Sequence, residues 1–450
     1  MNFRKPLLKT LLGIKNIASG GNSNVNKYFS EILKLEFCNR SEIEDIQQNN
    51  LEKILLHSYN HTKYYKRVFN QIGLIQNNKV NFDKFNKIPF LTKDIMRKYK
   101  DELISDNHKN IYWNTSGGST GEPVEFMQDS VYKAHNWASA LYYNHVLGKE
   151  LGDREAKFWG SERDVLKGSI GIIPKFENFL YNRLLLNTFN MTSESMREYI
   201  KEINKFNPKS LWAYVDSVYE LARFIERESI KISSIPVTIT TTGPLTEDMR
   251  NTIERALKTK VFNQYGSREV GPIACECLNC EGLHVFEWDH YIEIIDSSGN
   301  ALPSGEMGEV CITLLTNFSM PLIRYQIGDT AIISEKFCSC GRKTTLFKEV
   351  TGRVFDHFVN SEGTLIHGQY FTSIFFHRPW VERFQVVQED INHIIINLVA
   401  REIPPNSEKE EIIGIIHKVM GKSCKVDFQF QRKIKPTASG KYRYTICNIR

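Results

Sequence analysis

The segment Asn114-Thr115-Ser116-Gly117-Gly118-Ser119-Thr120-Gly121-Glu122-Pro123 carries four hydroxyl side chains and three glycines between Thr115 and Gly121. Glycine lets successive backbone N–H groups turn inward around an anion, and hydroxyls add donors, so the composition suits phosphate oxygens. The loop lacks the Gly-Lys-Ser/Thr ending of a Walker loop and is not G-x-G-x-x-G. A flexible polar turn is the plainest alternative. A third reading takes Gly117, Ser119 and Gly121 as G-x-S-x-G, the nucleophile elbow of a serine hydrolase acting through Ser119. An elbow needs a helix immediately after its serine. Here Pro123 and the extended Val124-Glu125-Phe126-Met127 follow, which disfavours it.

Thiols and an imidazole form a second chemical group. Cys275-x-Cys277-x-x-Cys280-x-x-x-His284 begins six residues after Glu269, and Cys338-x-Cys340 follows about sixty residues later. Thiolate and imidazole in tight pairs are what tetrahedral zinc takes, although the spacing is not that of a standard zinc finger. The alternative is small buried hydrophobes. Cys38, Cys311, Cys424 and Cys447 are scattered and read as structural. Clustering of five among nine cysteines points to a reduced compartment, so a cytoplasmic location is expected.

These groups need elements to position them. The first 110 or so residues read as helices between polar, Asn-rich turns, such as 43–59 with Ile46, Leu51, Ile54 and Leu55, and show no chemical motif. From Ile111 short extended runs alternate with helices. Thr192 caps a helix whose apolar face is Met196, Tyr199, Ile200, Ile203 and Phe206. A run at 210–215 follows, then a helix carrying Val218, Leu221, Ala222 and Ile225, an extended stretch at 235–242, a helix at 246–258 and a strand at 260–264. This alternation predicts an α/β layer with parallel pairing.

After Gly282 strands are expected at 291–295, 309–315 and 330–334 without helices between them. Beyond Gly352 the texture is α+β: a hairpin of 384–388 with 393–399, a capping box Ser407-x-x-Glu410 before Ile412, Ile413 and Ile416, and a strand at 425–431. A domain boundary is placed near 351–356. Trp212, Tyr214 and Gly243 lie at strand ends, where α/β proteins bind ligands, although the two aromatics are equally good core residues. Trp137 and His135 are weaker candidates.

Composition bounds the function. The chain has 450 residues, 41% apolar and 24% charged, as a folded globular protein of two to four domains would have. Its 58 basic and 52 acidic residues leave +6, which neither demands nor excludes a polyanion. Lys and Arg are dispersed, with no basic run interleaved with aromatics, so no nucleic-acid partner is expected. No apolar run nears the ~20 residues of a membrane span. Lys9 and Lys15 break the apolar stretch of residues 1–15, which reads as a short amphipathic helix rather than an export signal.

Four further segments fall in order: Asn263-Gln264-Tyr265-Gly266-Ser267-Arg268-Glu269, Arg324-Tyr325-Gln326-Ile327-Gly328-Asp329, Thr351-Gly352-Arg353 and Pro436-Thr437-Ala438-Ser439-Gly440-Lys441. With the glycine-rich loop, this series resembles the adenylate-forming superfamily of acyl-CoA synthetases and, within it, the phenylacetate–CoA ligase family, from Ile111 to the end. The resemblance implies an α/β fold with a large multi-layer domain of β-sheets and helices (1–352). Its helical part is about 1–110 and its strand-rich zinc region about 270–345. A small mobile α+β domain (353–450) is hinged after the Gly-Arg pair.

The chemistry implied is an AMP-forming carboxylate ligation with ATP, Mg²⁺ and CoA, acting on a small carboxylic acid. By resemblance Thr115, Ser116, Gly117, Gly118, Ser119, Thr120 and Gly121 hold the β- and γ-phosphates. Glu269 helps hold Mg²⁺, Tyr265 with Gly266 lies along the adenine, and Asp329 accepts from the ribose hydroxyls. Arg353 sits at the hinge by the nucleotide, Lys441 bridges carboxylate and α-phosphate, and Trp212, Tyr214 and Gly243 border the acyl pocket. Phe355-Asp356 departs from the Asp-Asp usual after Gly-Arg-x. Residues 363–368 and 384–388 look more like the branch associated with capsular polysaccharide biosynthesis. This opens the acceptor to an amine or a hydroxyl, such as that of a sugar. Members of that branch often carry a Cys followed by Gly-Leu-His and a later Cys-x-Cys-Gly-Arg. That selects Cys277, His284, Cys338 and Cys340 as structural zinc ligands, with Cys275 and Cys280 as alternates.

Overall fold

The structure is a computed structural model that describes residues 24–116, 124–159, 178–188, 190–243, 245–296, 298–351, 357–375, 378, 380–434 and 444–449. They fall into two compact units, one drawn from 1–116, 124–152 and 262–352, the other from 153–261 and 353–450. The expected amphipathic segment at 1–15 lies outside the described residues.

In the first unit the helix Arg40–His61 extends the expected 43–59 at both ends. Asn39 caps it through a reciprocal box with Glu42, and Thr62 ends it and caps the next helix, Lys63–Ile72. The helical reading of this region missed a two-stranded hairpin, Ile75–Gln76 with Lys79–Val80. Asn77 and Asn78 turn it with φ of 49° and 59°, the left-handed pair that a two-residue hairpin turn requires.

An antiparallel sheet follows in the order His290–Ile295, Met307–Leu314, Tyr325–Ile333, Leu346–Thr351, Leu283–Val285, Gly271–Glu276 and Lys260–Ser267. The strand expected at 330–334 begins at Tyr325, so Asp329 lies within it. Leu51, Ile54 and Phe69 from the helices pack with Ile312, Leu314 and Phe347 from the sheet in one core. The sheet is strongly curled. Tyr265 and Asp329 stand four strand steps apart, about 19 Å if flat, yet the Tyr265 hydroxyl donates to Asp329 Oδ2 at 3.0 Å.

The second unit has the predicted parallel layer: Arg183–Asn187, Glu155–Trp159, Ser210–Tyr214 and Val237–Thr241, with helices Ser193–Phe206, Val215–Arg227 and Glu247–Leu257 between strands. Thr192 and Thr246 cap their helices as expected. Phe158, Leu211, Ala213, Ile203, Leu221 and Phe224 fill the core between sheet and helices. Residues 381–390 and 393–400 form the expected antiparallel pair, joined by Lys425–Phe430 and Thr445–Cys447. Their inward Phe384, Ile394 and Ile396 pack on Ile412 and Ile416. The capping box at Ser407 does not form. The helix Asn406–Met420 starts two residues earlier than that cap requires, with Pro405 as its cap and no side-chain hydrogen bond there. No helix among the described residues is long and apolar enough to cross a membrane.

Candidate active site and metal cluster

The glycine-rich segment joins two antiparallel strands, Tyr112–Thr115 and Glu125–Gln128. A strand, not a helix, therefore follows the loop, and the setting of a nucleophile elbow is absent. Gly117, Gly118, Ser119, Thr120 and Gly121 lie outside the described residues, as do Arg353 and Lys441. Ser116 is buried at the neck: its N–H donates to the Val124 carbonyl and its hydroxyl accepts from the Val124 N–H, both at 2.9 Å. The Thr115 N–H donates to Asn114 Oδ1 at 2.9 Å.

The stem of this hairpin reaches the next motif. The Gln128 amide, itself receiving the Asn114 amide at 3.3 Å, donates to the Arg268 and Glu269 carbonyls at 3.0 and 3.2 Å. Glu269 lies in the turn between strands Lys260–Ser267 and Gly271–Glu276, where side chains are excluded at two positions. A Cβ on Gly266 would meet the Gly271 carbonyl at 2.7 Å, and one on Gly271, at φ +77°, would meet the Tyr132 hydroxyl at 2.9 Å. The buried Glu269 carboxylate accepts from the Tyr325 hydroxyl at 3.2 Å, and the Lys93 ammonium stands 3.6 Å from the same oxygen.

Neither Lys93 nor Gln128 carried a signal in the sequence, and Tyr325 was only part of a motif. The segment bearing Lys93 is gripped by the motif strand. Arg324, fully buried with φ 50°, donates to the Asn86 and Ile88 carbonyls at 2.8 Å each and pairs with Glu293 through two bonds of 3.1 and 3.0 Å. Its guanidinium stacks 4.3 Å from the Phe90 ring. Leu91 then bridges to the strand at both backbone groups, to Arg324 and Gln326, at 2.9 and 3.0 Å. The motif arginine thus cements the site rather than lining it.

Tyr265 and Asp329 meet as described, with Phe347 edge-on to the Tyr265 ring at 6.1 Å. Burial, and secondarily the Asp329 carboxylate, raise the pKa of Glu309 above its ordinary value.

Cys277, His284, Cys338 and Cys340 come together: their ligand atoms all lie within 4.8 Å of one another. The Cys277 and Cys338 sulfurs are 3.7 Å apart, and Cys340 Sγ is 3.5 Å from His284 Nε2. A tetrahedron with Zn–S of about 2.3 Å and Zn–N of about 2.0–2.1 Å has S–S edges of about 3.8 Å and S–N edges of about 3.6 Å. Cys275 and Cys280 are not in the group. Burial, then the Arg342 charge, lowers the His284 pKa to about 4, so the imidazole is neutral near pH 7. Its Nδ1 bonds the Thr344 hydroxyl at 3.0 Å, which leaves Nε2 to face the thiols. Two loops meet here, and Asn279 and Glu281 of one hydrogen-bond Ser339 of the other.

In the second unit Trp212 and Tyr214 share one face of strand Ser210–Tyr214. The Trp159 ring lies 4.3 Å from Tyr214, and the Lys157 ammonium 5.7 Å from both the Trp159 and Trp212 rings. At Gly243 a Cβ would sit 3.6 Å from Val215 and 3.7 Å from Asp216 Oδ2, ordinary contacts. In the first unit Trp137 is exposed, and His135 belongs to a network in which Asp289 accepts from its ring at 3.0 Å and from Ser139 at 2.5 Å.

The fold is that of adenylate-forming CoA ligases, and the ordered motifs are similar to those of ATP-dependent, AMP-forming ligases. Residues 358–448 match the family described as the CapK C-terminal domain. The chain is 28% identical to Protein CapK of Staphylococcus aureus over 431 residues, covering 94% of this chain and 93% of that one. It is 24% identical to the phenylacetate-coenzyme A ligase of Pseudomonas putida over 330 residues, 70% and 72% of the two chains. A crystal structure of 2-hydroxyisobutyryl-CoA ligase in complex with 2-HIB-AMP and CoA shares the fold with a TM-score of 0.63 at 17% identity, covering 92% and 91%. The resemblance drawn from the motifs, to the phenylacetate–CoA ligase family and its capsular-polysaccharide branch, is borne out.

Proposed function

We propose that the protein activates a small carboxylic acid with Mg²⁺ and ATP and passes the acyl group to CoA, as a phenylacetate–CoA ligase does. A carboxylate oxygen attacks the α-phosphorus. The new P–O bond forms as the bond to the bridging oxygen breaks, and pyrophosphate leaves with that electron pair. The acceptor thiol then attacks the acyl carbonyl and AMP departs.

One observation carries this reading. Segments more than two hundred residues apart converge through one chain of contacts, from Asn114 and Gln128 at the loop stem, through the Glu269 turn, to Tyr325 and Lys93. In this assignment the segment from Thr115 to Gly121 cradles the outer phosphates, while Ser116 shapes the loop neck. Glu269 holds the magnesium that screens phosphate charge. Asp329, fixed by the Tyr265 hydroxyl, takes the ribose beside the Tyr265–Gly266 backbone. Lys441 and Arg353 act from a small C-terminal domain, 353–450, hinged on the larger 1–352 body. Trp212, Tyr214 and Gly243 border the acyl group. Cys277, His284, Cys338 and Cys340 hold a structural zinc, which their number, burial and tetrahedral spacing suit.

A second acceptor is favoured by a specific observation. The likeness to CapK spans 94% of the chain against 70% for the phenylacetate ligase of Pseudomonas putida, and the C-terminal segment matches the CapK family. Transfer to a sugar hydroxyl or amine therefore stands beside CoA. Exchange of labelled pyrophosphate into ATP across a panel of carboxylic acids tests adenylation. Exchange with at least one acid is expected, and none with any acid would sink the proposal. CoA and amino sugars added to the active acid then identify the acceptor.

A further inference from the structure

We infer that Lys93 is a cationic contact for the outer phosphates of ATP, supplied by the N-terminal helical segment. The inference rests on the reading above that Glu269 faces the metal-bound phosphates. Lys93 stands 3.6 Å from Glu269 Oε1, with its side chain 15% exposed and that of Glu269 7%. Withdrawing an ammonium and a carboxylate from water is costly unless each finds a partner of opposite charge, and here they find one another.

The position is built rather than incidental. The Thr92 hydroxyl caps the short helix Lys93–Lys98 by accepting from the Ile95 N–H at 3.3 Å. Two residues before Lys93, Leu91 is locked to the Tyr325 strand by two backbone bonds, and Arg324 holds the Asn86 and Ile88 carbonyls. One strand therefore delivers both groups that touch the same Glu269 oxygen: Tyr325 directly, and Lys93 through Leu91.

The pair is arranged to exchange partners. A triphosphate arriving with its metal brings a cation for Glu269 and oxyanions for Lys93, so neither buried charge is stranded when nucleotide enters. As the bond from α-phosphorus to the bridging oxygen breaks, charge collects on the departing pyrophosphate, where a nearby ammonium stabilises it. AMP has no outer phosphates and gains nothing from this lysine.

Calorimetric titration of the whole protein with Mg²⁺·ATP and with AMP tests the assignment without knowledge of the carboxylate. Lys93→Met is expected to weaken ATP about tenfold or more, the loss of a charge-assisted contact, while AMP stays within about twofold. Equal changes for both nucleotides, or none, overturn the lysine assignment. Wild-type protein that binds neither nucleotide overturns the ligase reading together with it. Should Lys93→Met fail to fold, Lys93→Arg decides: it keeps the charge and is expected to keep the preference for ATP over AMP, and loss of that preference overturns the inference.

Discussion

The two ends of one β-strand, Gly271–Glu276, are built on opposite principles. Past its last residue, Cys277 joins His284 of the neighbouring strand Leu283–Val285 and Cys338 and Cys340 of a loop, three thiols and an imidazole from two short stretches of chain. Before its first residue, Glu269 is held by Tyr325, Lys93 and the Gln128 amide, hard oxygen and nitrogen groups from three remote parts of the chain. One end gathers four ligand atoms from two nearby stretches of sequence, a group suited to a cross-linking metal. The other is an assembly that exists only once the whole unit has folded. The first can be rigid, whereas under the proposed function the second trades its internal ion pair for a ligand.

Damage at the thiol end should cost stability, and damage at the Glu269 carboxylate should cost chemistry. Cys277→Ser should show the largest effect, abolishing stoichiometric zinc and lowering Tm by about 10 °C or more; metal analysis with calorimetry reads both. A metal-free wild-type chain of unchanged Tm would contradict the cross-link. Arg324→Met leaves Glu293 buried without its partner and should cost about 3–5 kcal/mol in denaturant unfolding. Because it also frees the 86–91 segment, pyrophosphate exchange should fall with it. Glu269→Gln should lower exchange about 10²–10³-fold with little change in Tm; a large loss of stability and intact exchange would reverse the contrast. The smallest effect belongs to Glu309. Its raised pKa means the folded protein favours the protonated form, so this contribution is present below the unfolded value and lost as pH rises through the folded one. Glu309→Gln should therefore flatten the decline in stability from about pH 4.5 upward, seen as Tm against pH.

At the thiol end the dense spacing marked a metal-like cluster, but it left Cys275 and Cys280 open, and the resemblance to Cys, Gly-Leu-His and Cys-x-Cys-Gly-Arg singled out the four residues that come together. The parallel layer was legible for a different reason: Thr192 and Thr246 announce helices whose apolar faces repeat at three and four. Lys93 carried no such mark. A lysine after a threonine in a helical stretch is ordinary, and its partner, Glu269, is set by folding and not by spacing. The burial of Arg324 was hidden likewise, since its carbonyl partners lie more than two hundred residues away. The box at Ser407 failed because Pro405, already extended at φ −61°, starts the helix first and leaves Ser407 inside the opening turn.

The backbone bridge at Leu91 also sets a rule for length variation. Lys93 lies two residues beyond the last backbone bond to the Tyr325 strand, at the start of a helix that turns about 100° per residue. One residue inserted between Leu91 and Lys93 would swing the ammonium a quarter-turn or more away from Glu269, whereas the same insertion at the Asn77–Asn78 turn would only lengthen an exposed loop. The bridge works as a ruler. Across relatives of this chain, gaps should gather at the hairpin tip and be missing from 91–93.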